Sequence, residues 1–175
     1  MDLIYVTDRN AYSTESFVKK LAVEKLNMHG PVILRNQHGK PYFQKTDGQP
    51  TLHFSVSHTD NKLFVVFSNR EIGIDVENKN RNVDYSRLIR RVDESFSVAS
   101  TLEFLRLWTA KESVVKYMGG AMAPDAKDIL FSPVFDCVQY REQCLPVVVQ
   151  HFEFENYLVA VCSESEKTYS FCEII

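Results

Sequence analysis

A short segment with two acidic side chains, residues 72–77, is the first part of the sequence whose residue types indicate chemistry. Its isoleucines and valine alternate with Gly73, Asp75 and Glu77, which predicts a β-strand that carries both acids on one face. Residues two apart in a strand are separated by about 7 Å, so the carboxylates repel each other unless a cation lies between them. Mg²⁺ takes oxygen ligands and keeps several waters, so a magnesium site is one interpretation. The alternative is an exposed strand face with two solvated acids.

A second group of functional residue types lies in a stretch that predicts a long helix. The apolar stripe of this helix consists of Phe104, Leu107, Trp108, Val115 and Met118. Lys111 projects near the middle of the stripe, where an unpaired ammonium is costly to bury. It therefore either extends to an edge or meets an anion in a crevice. Glu112 and Lys116, four residues apart on the border of the stripe, are either a functional pair or an ordinary surface pair.

Two short polar motifs precede the acidic strand. Gly39-Lys40-Pro41 predicts a rigid turn whose lysine is able to reach a phosphate, although most such turns bind nothing. Ser57 and His58 follow the alternating run at residues 52–56, where a loop is predicted to begin. A histidine in such a place is usually structural or exposed, so neither motif alone assigns a function.

The composition is that of a compact protein with no excess of basic residues. The chain has 175 residues, 45% of them hydrophobic, and a formal net charge of −3. These values predict one moderate core or two small ones and disfavour nucleic acid as a partner. No leader segment and no run of about 20 apolar residues is present, so we expect no membrane partner and a cytoplasmic location. We interpret the cysteines, which match no zinc spacing, as reduced packing residues.

Periodicity and turn residues outline the elements of the first half. The predicted segments are a strand at 3–6, a helix over Thr14–Leu26, a loop at 37–50 and a strand at 52–56. Residues 63–67 and 72–77 are two further predicted strands, and their four-residue separation predicts a hairpin. A polar connector follows at 78–82.

The second half is predicted to begin with helices and to end with strands. A helix at 85–92 precedes the long helix at 100–118, which Gly119 and Gly120 end. The predicted strands are at 129–131, 146–154, 157–162 and 169–174. The second and third of these have hairpin spacing.

Both halves contain three strand-like segments in the same order, which indicates a weak internal duplication. HFSVSH, LFVVF and IGIDVE in the first half correspond to HFEFEN, LVAVC and YSFCEI in the second. We therefore expect an α+β fold of two similar lobes, residues 1–80 and 81–175, that form one integrated unit with a cleft where they meet.

The motifs gain weight from their order along the chain. Gly-Lys-Pro, Ser-x-Ser-His, Gly-Ile-Asp-x-Glu and Trp-x-x-Lys-Glu-Ser-x-x-Lys follow one another between Gly39 and Lys116. This conjunction resembles the surfactin-synthetase-type 4′-phosphopantetheinyl transferases, and the last two motifs are highly specific together. The resemblance implies a pseudo-dimer of two α+β lobes with coenzyme A in the cleft. It also implies transfer of the phosphopantetheine arm to a serine of an apo acyl or peptidyl carrier protein, with release of adenosine 3′,5′-bisphosphate.

The resemblance further implies roles for individual residues. Asp75, Glu77 and Glu112 would be the Mg²⁺ ligands, and Mn²⁺ is expected to substitute. Glu112 and Lys116 would be catalytic, and Lys116 would contact the pyrophosphate. Glu112 would either be a metal ligand alone or be a metal ligand that also accepts the serine proton. The residues expected to bind coenzyme A are Gly39, Lys40, Pro41, Ser57, His58, Asp75, Lys111 and Lys116, with His58 near the 3′-phosphate.

Two other functions compete with this interpretation. One is a coenzyme A or nucleotide-binding module without turnover, against which the complete acidic trio argues. The other is a magnesium-dependent pyrophosphate hydrolase, which would release adenosine bisphosphate from coenzyme A without an acceptor. We expect a monomer. Because carrier proteins are typically acidic, the shared helical face of Arg87, Arg90 and Arg91 is either a docking surface or a solvated face balanced by nearby acids.

Overall fold

The computed structural model describes residues 2–45, 51–82, 84, 88, 98–120, 126–132, 135 and 137–175. Within these ranges the protein has the predicted α+β fold. The predicted helix at 85–92, with its three arginines, lies outside the described residues apart from residue 88. The two long helices are α1 (Thr14–Leu26) and α2 (Thr101–Met118), and a 3₁₀ turn covers Ala126–Asp128.

The first sheet has four strands in the order β12-β1-β5-β4. These strands are β1 (Asp2–Asp8), β4 (His53–Thr59), β5 (Lys62–Ser68) and β12 (Tyr169–Glu173). The pair β1–β12 is parallel, and the other two pairs are antiparallel. Leu63 and Val65 of β5 pack on one side with helix α1, whereas Phe64 and Val66 pack on the other side with the second sheet. Burial on both faces explains the continuous apolar run of this strand.

The second sheet has three antiparallel strands in the order β10-β11-β6. They are β6 (Gly73–Asn78), β10 (Val148–Phe154) and β11 (Tyr157–Ser163). The predicted hairpin of β10 and β11 is confirmed. The predicted hairpin of β5 and β6 is wrong, because β1 and β4 already occupy the two edges of β5 and β6 pairs with β11 instead.

Two small sheets complete the described structure, and most of their strands were not predicted. One joins β2 (Ile33–Arg35) to β3 (Pro41–Phe43), so part of the predicted loop at 37–50 is a strand. The other contains β7 (Ile129–Phe131), β8 (Val138–Tyr140) and β9 (Gln143–Leu145), of which only β7 was predicted. Three-residue strands give too few alternations for a periodic signal.

Serine side chains cap the first turn of both long helices in the described ranges. Ser13 accepts a hydrogen bond from the Ser16 amide at the start of α1, and Ser100 accepts one from the Glu103 amide at the start of α2. Helix α2 ends at Gly119, as predicted, with the left-handed conformation common at a helix end. Helix α2 packs against β6, β10 and β11, so the second sheet fixes the position of its residues.

Each copy of the duplicated strand pattern is a hairpin in one sheet followed by a strand in the other sheet. The hairpin β4–β5 lies in the first sheet and the following β6 in the second, whereas the hairpin β10–β11 lies in the second and β12 in the first. One hydrophobic cluster, which includes Ile4, Phe64, Ile74 and Val159, joins the two sheets. The division into lobes at residue 80 stays a prediction. None of the helices in the described ranges combines the length and apolar character needed to cross a membrane.

Candidate functional site

Strand β6 carries Asp75 and Glu77, and both are buried. Asp75 is 6% exposed and Glu77 is 8% exposed, so the alternative of a solvated acidic face is excluded. One edge of β6 forms the ladder with β11, while its other side faces β4. Carboxylates are rarely buried without specific partners, so the partners of these two define the site.

Two serine hydroxyls connect β4 to the free edge of β6. Ser55 Oγ accepts a hydrogen bond from the Ile74 amide at 3.0 Å, and Ser57 Oγ accepts one from the Val76 amide at 3.2 Å. These bonds replace a strand ladder between the two sheets and satisfy backbone groups that would otherwise be buried unpaired. The Ser-x-Ser pattern therefore holds the backbone on both sides of Asp75.

Asp75 lies in a small network with Ser57 and Lys116. Lys116 Nζ is 2.7 Å from Asp75 Oδ1 and donates to Ser57 Oγ at 3.1 Å, while Ser57 Oγ donates to the same Asp75 oxygen at 2.9 Å. The alternative of an ordinary surface pair between Glu112 and Lys116 is excluded, since the ammonium pairs with Asp75 across the helix–strand interface. The network brings together two motifs 41 residues apart.

Gly73 explains how helix α2 comes so close to β6. A Cβ atom at this position would lie 1.9 Å from the Ser113 carbonyl oxygen and 2.5 Å from the Tyr117 amide nitrogen. Only a residue without a side chain allows the helix backbone to approach the strand this closely. Because Ser113 lies between Glu112 and Lys116 in this region of the helix, Gly73 sets the distance of both side chains from Asp75.

Glu112 lies in the same region and has a raised pKa. Burial raises the pKa of its carboxyl group to about 7, and the negative charges of Asp75 and Glu77 contribute, while Lys116 opposes the shift. Burial also raises the pKa of Glu77, against the effect of Arg81, whose Nη1 is 2.8 Å from both carboxylate oxygens. The three acids therefore interact electrostatically across β6 and α2.

The chemistry of this donor set fits a hard divalent cation. All the candidate groups are oxygen donors, and a cation between the carboxylates would relieve the burial and repulsion that raise the pKa values of Glu77 and Glu112. In the present side-chain positions, however, no three acidic, histidine or cysteine residues of the described segments are arranged to hold a metal ion. Asp75 and Glu77 are instead held by Lys116 and Arg81.

A cleft of about 430 Å³ adjoins the acidic cluster. It is lined by the turn residues Gly39, Lys40 and Pro41 and by Ser55, Glu112 and Lys116, among others. Gly39 has φ +87°, a conformation that favours glycine at this turn. Lys40 Nζ is 2.7 Å from Glu71 Oε2 and donates to the Tyr117 carbonyl oxygen at 3.1 Å. The structure thus brings the turn motif and the helix motif to one cavity.

The other predicted coenzyme A residues have different environments. His58 is exposed near the end of β4, opposite Leu63 of β5. Lys111 is fully buried, and its Nζ donates to the Ala126 carbonyl oxygen at 2.9 Å, so it does not extend to the helix edge. Among the described residues neither of these two side chains lines the cleft. Their roles in coenzyme A binding stay predictions.

Sequence reasoning missed three contributions to this site. Ser55 was noted only as part of a motif, although its hydroxyl fixes β6 as Ser57 does. Gly73 was noted only as an alternating small residue, and its close contact with α2 depends on tertiary packing. Arg81 lay in a segment interpreted as a connector, although its spacing of four residues from Glu77 was visible.

Comparison with known proteins agrees with the motif resemblance. The family model described as the 4′-phosphopantetheinyl transferase superfamily matches residues 71–162, slightly more than half of the chain. The matched region contains all of β6 and α2. The chain is also similar to 4′-phosphopantetheinyl transferase gsp of Aneurinibacillus migulanus, with 28% identity over 174 positions that cover 91% of this chain and 71% of the relative. The predicted resemblance is confirmed: the chain is a transferase that belongs to the 4′-phosphopantetheinyl transferase superfamily.

Proposed function

We propose that this enzyme transfers the 4′-phosphopantetheine group of coenzyme A to a serine of an apo acyl or peptidyl carrier protein and releases adenosine 3′,5′-bisphosphate. The observation that carries the proposal is the meeting of Lys40, Glu112 and Lys116 at one cleft beside the buried Asp75. The cationic side chains suit the phosphates of coenzyme A, and the acids suit a cation and a proton acceptor.

Asp75, Glu77 and Glu112 are the residues that would hold Mg²⁺. Their oxygens match its ligand preference, and the raised pKa of Glu77 and of Glu112 reflects burial and mutual repulsion that a cation would relieve. When bound, the ion would neutralise charge on the pyrophosphate and polarise its phosphorus–oxygen bonds. Arg81 pairs with both oxygens of Glu77, so it would have to move before Glu77 could hold the ion, whereas Lys116 pairs with Oδ1 of Asp75. Arg81 is 55% exposed at its side chain, which leaves it room to move.

Side chains of the protein stabilise charge and accept the proton during the transfer. The serine oxygen forms a bond to the β-phosphorus of coenzyme A while the bond from that phosphorus to the leaving oxygen of adenosine bisphosphate breaks. Lys116, turned from Asp75 toward the cleft, balances the negative charge that grows on the leaving group. Glu112 lies on the cleft and is the acceptor for the serine proton, directly or through a water molecule, besides its role as a ligand. No covalent enzyme intermediate is needed.

The architecture proposed for this function is a pseudo-dimer of two lobes, residues 1–80 and 81–175. The exchange of β6 and β12 between the sheets supports it, because each half contributes one strand to the sheet of the other hairpin. In this arrangement Ser57 and the turn at Gly39 come from the first half, and Glu112 and Lys116 come from the second. We further propose a cytoplasmic monomer whose partners are coenzyme A and the carrier.

The proposal is tested by the variants Asp75→Asn and Glu112→Gln, with Glu103→Gln as the matched control. Glu103 is an exposed acid in the first turn of the same helix and does not line the cleft. Transfer from coenzyme A to an apo-carrier, followed by intact-protein mass spectrometry, should fall by at least about 100-fold in the first two variants and stay unchanged in the control. A chelator should abolish transfer, and Mg²⁺ or Mn²⁺ should restore it.

Near wild-type transfer in both site variants would remove the basis of the assignment. The competing functions give different results in the same experiment. A non-catalytic module would bind coenzyme A without modifying the carrier, and a hydrolase would release adenosine bisphosphate at the same rate with and without the carrier.

A further inference from the structure

Asn36, next to the Gly39-Lys40-Pro41 turn, uses every polar group that it has. Its Oδ1 accepts hydrogen bonds from the His38 and Lys40 amides, each at 2.9 Å. Its own amide donates to the Lys40 carbonyl oxygen, and its carbonyl oxygen accepts from the Gly39 amide, each at 3.0 Å. These four bonds close the turn from within, so Asn36 determines the shape of the turn.

The same side chain also connects this turn to the end of helix α2. Asn36 Nδ2 donates to the Gly119 carbonyl oxygen at 2.9 Å, across 83 residues of sequence. Lys40 Nζ donates to the Tyr117 carbonyl oxygen at 3.1 Å and makes a second connection. Carbonyl groups at a helix C-terminus lack partners within the helix, and a cation there is favourable. The turn therefore supplies hydrogen-bond donors to carbonyl groups at the C-terminal end of α2.

The turn and helix α2, joined in this way, both line one cleft. Gly39, Lys40 and Pro41 line it from the turn, and Glu112 and Lys116 line it from α2. Movement of the turn relative to the helix would change the distance from Lys40 to Lys116, which with Arg35 are the lysine and arginine side chains that line this cleft among the described residues. The bond from Asn36 to Gly119 opposes such movement.

We propose that Asn36 is a positioning residue, which fixes the Gly39-Lys40-Pro41 turn against the C-terminal end of α2 and so sets the width of the coenzyme A cleft. This inference rests on the proposed function, because it takes coenzyme A as the molecule in the cleft. Asn36 itself acts through Lys40 and Gly119 and is not assigned a contact with the substrate.

The variant Asn36→Asp isolates the proposed bond. Aspartate keeps the size of the side chain and its Oδ1 acceptor but lacks the Nδ2 donor, and its charge repels the Gly119 carbonyl oxygen. Gln37→Glu is the control, since it makes the same charge change in the same turn, and in the described part of the chain the Gln37 side chain hydrogen-bonds the ring of His38, at 3.1 Å. The control separates loss of the bond from the effect of one more negative charge near the phosphates.

We expect Asn36→Asp to raise KM for coenzyme A by about threefold to tenfold, the range for one neutral hydrogen bond. KM for the carrier and kcat at saturating coenzyme A should stay near their wild-type values, as should all constants of Gln37→Glu. Hydrogen exchange, measured without coenzyme A, should become faster in Asn36→Asp alone at the Gly120 amide, which donates to the Val115 carbonyl oxygen at the end of α2.

Three results would overturn the inference. The first is an unchanged KM for coenzyme A in Asn36→Asp, and the second is the same rise of this KM in both variants. The third is a loss of activity in Asn36→Asp that appears only in kcat and equals the loss of folded protein. If the wild-type enzyme does not transfer phosphopantetheine at all, the proposed function fails. The connection between the turn and helix α2 is then tested by hydrogen exchange alone. In that case equal exchange rates in Asn36→Asp and wild type would refute the connection between turn and helix.

Discussion

The variant Gly73→Ala tests whether the contact between β6 and α2 creates the site. The added Cβ would lie 1.9 Å from the Ser113 carbonyl oxygen and 2.5 Å from the Tyr117 amide nitrogen, whereas ordinary contacts begin at 3.4 Å. Both atoms are backbone, so no side-chain rotation removes the clash, and the helix and strand must separate by about 1 Å or more. We expect the free energy of unfolding to fall by about 3 kcal/mol, at the upper end of the range for overpacking.

The same displacement should also reduce catalysis. It moves Glu112 and Lys116 away from Asp75, and a 1 Å misplacement of reacting groups costs about 100-fold in rate. Urea denaturation gives the stability, and transfer per folded molecule gives the activity. The control is Leu21→Ala in helix α1, a fully buried position in another cluster, with a comparable expected loss of about 2–5 kcal/mol. If both variants keep the same activity per folded molecule, the contact at Gly73 does not determine the site geometry.

Three further predictions concern the acid, the coenzyme and the carrier. Folding raises the pKa of Glu112 from 4.5 to about 7, so the unfolded state loses this proton at a lower pH than the folded state does. The free energy of unfolding of the metal-free wild type should therefore fall as pH rises between these two values. Glu112→Gln should lack this loss and be more stable by about 1–3 kcal/mol at high pH in urea denaturation, and identical pH profiles would contradict the account. His58→Ala should raise KM for coenzyme A by the equivalent of about 1.5–3 kcal/mol but not KM for 3′-dephospho-coenzyme A, and equal losses would remove His58 from the 3′-phosphate. Reversal of Arg87 and Arg90 to glutamate should raise KM for the carrier and flatten its salt dependence without changing KM for coenzyme A, and an unchanged carrier KM at low ionic strength would place docking elsewhere.

Local patterns predicted most elements of the fold correctly. Helix α1 has the predicted bounds, and the long helix begins one residue after the predicted Ser100 and ends at the predicted Met118, because capping residues and apolar periodicity are local signals. The α+β class followed from these elements. Strand pairing was less predictable: the spacing of β5 and β6 fits both a hairpin and a crossing between sheets, and the choice depends on which edges other strands occupy.

The identities of the site residues were easier to predict than their surroundings. Alternation correctly placed Asp75 and Glu77 on one strand, but it does not distinguish a solvated face from one covered by β4 and α2. Lys116 was assigned to a phosphate, and its pairing with Asp75 depends on the close approach that Gly73 allows. Such contacts join segments far apart in sequence, so periodicity and spacing carry no signal for them.

The most direct test of the central claim is the intact mass of an apo-carrier after incubation with this enzyme, coenzyme A and Mg²⁺. The proposed function predicts a gain of one phosphopantetheine group per carrier, with one adenosine 3′,5′-bisphosphate released for each. It also predicts no gain when the carrier serine is replaced by alanine or when Mg²⁺ is removed. Across a panel of acyl and peptidyl carriers, unchanged masses with folded enzyme that binds coenzyme A would contradict the account.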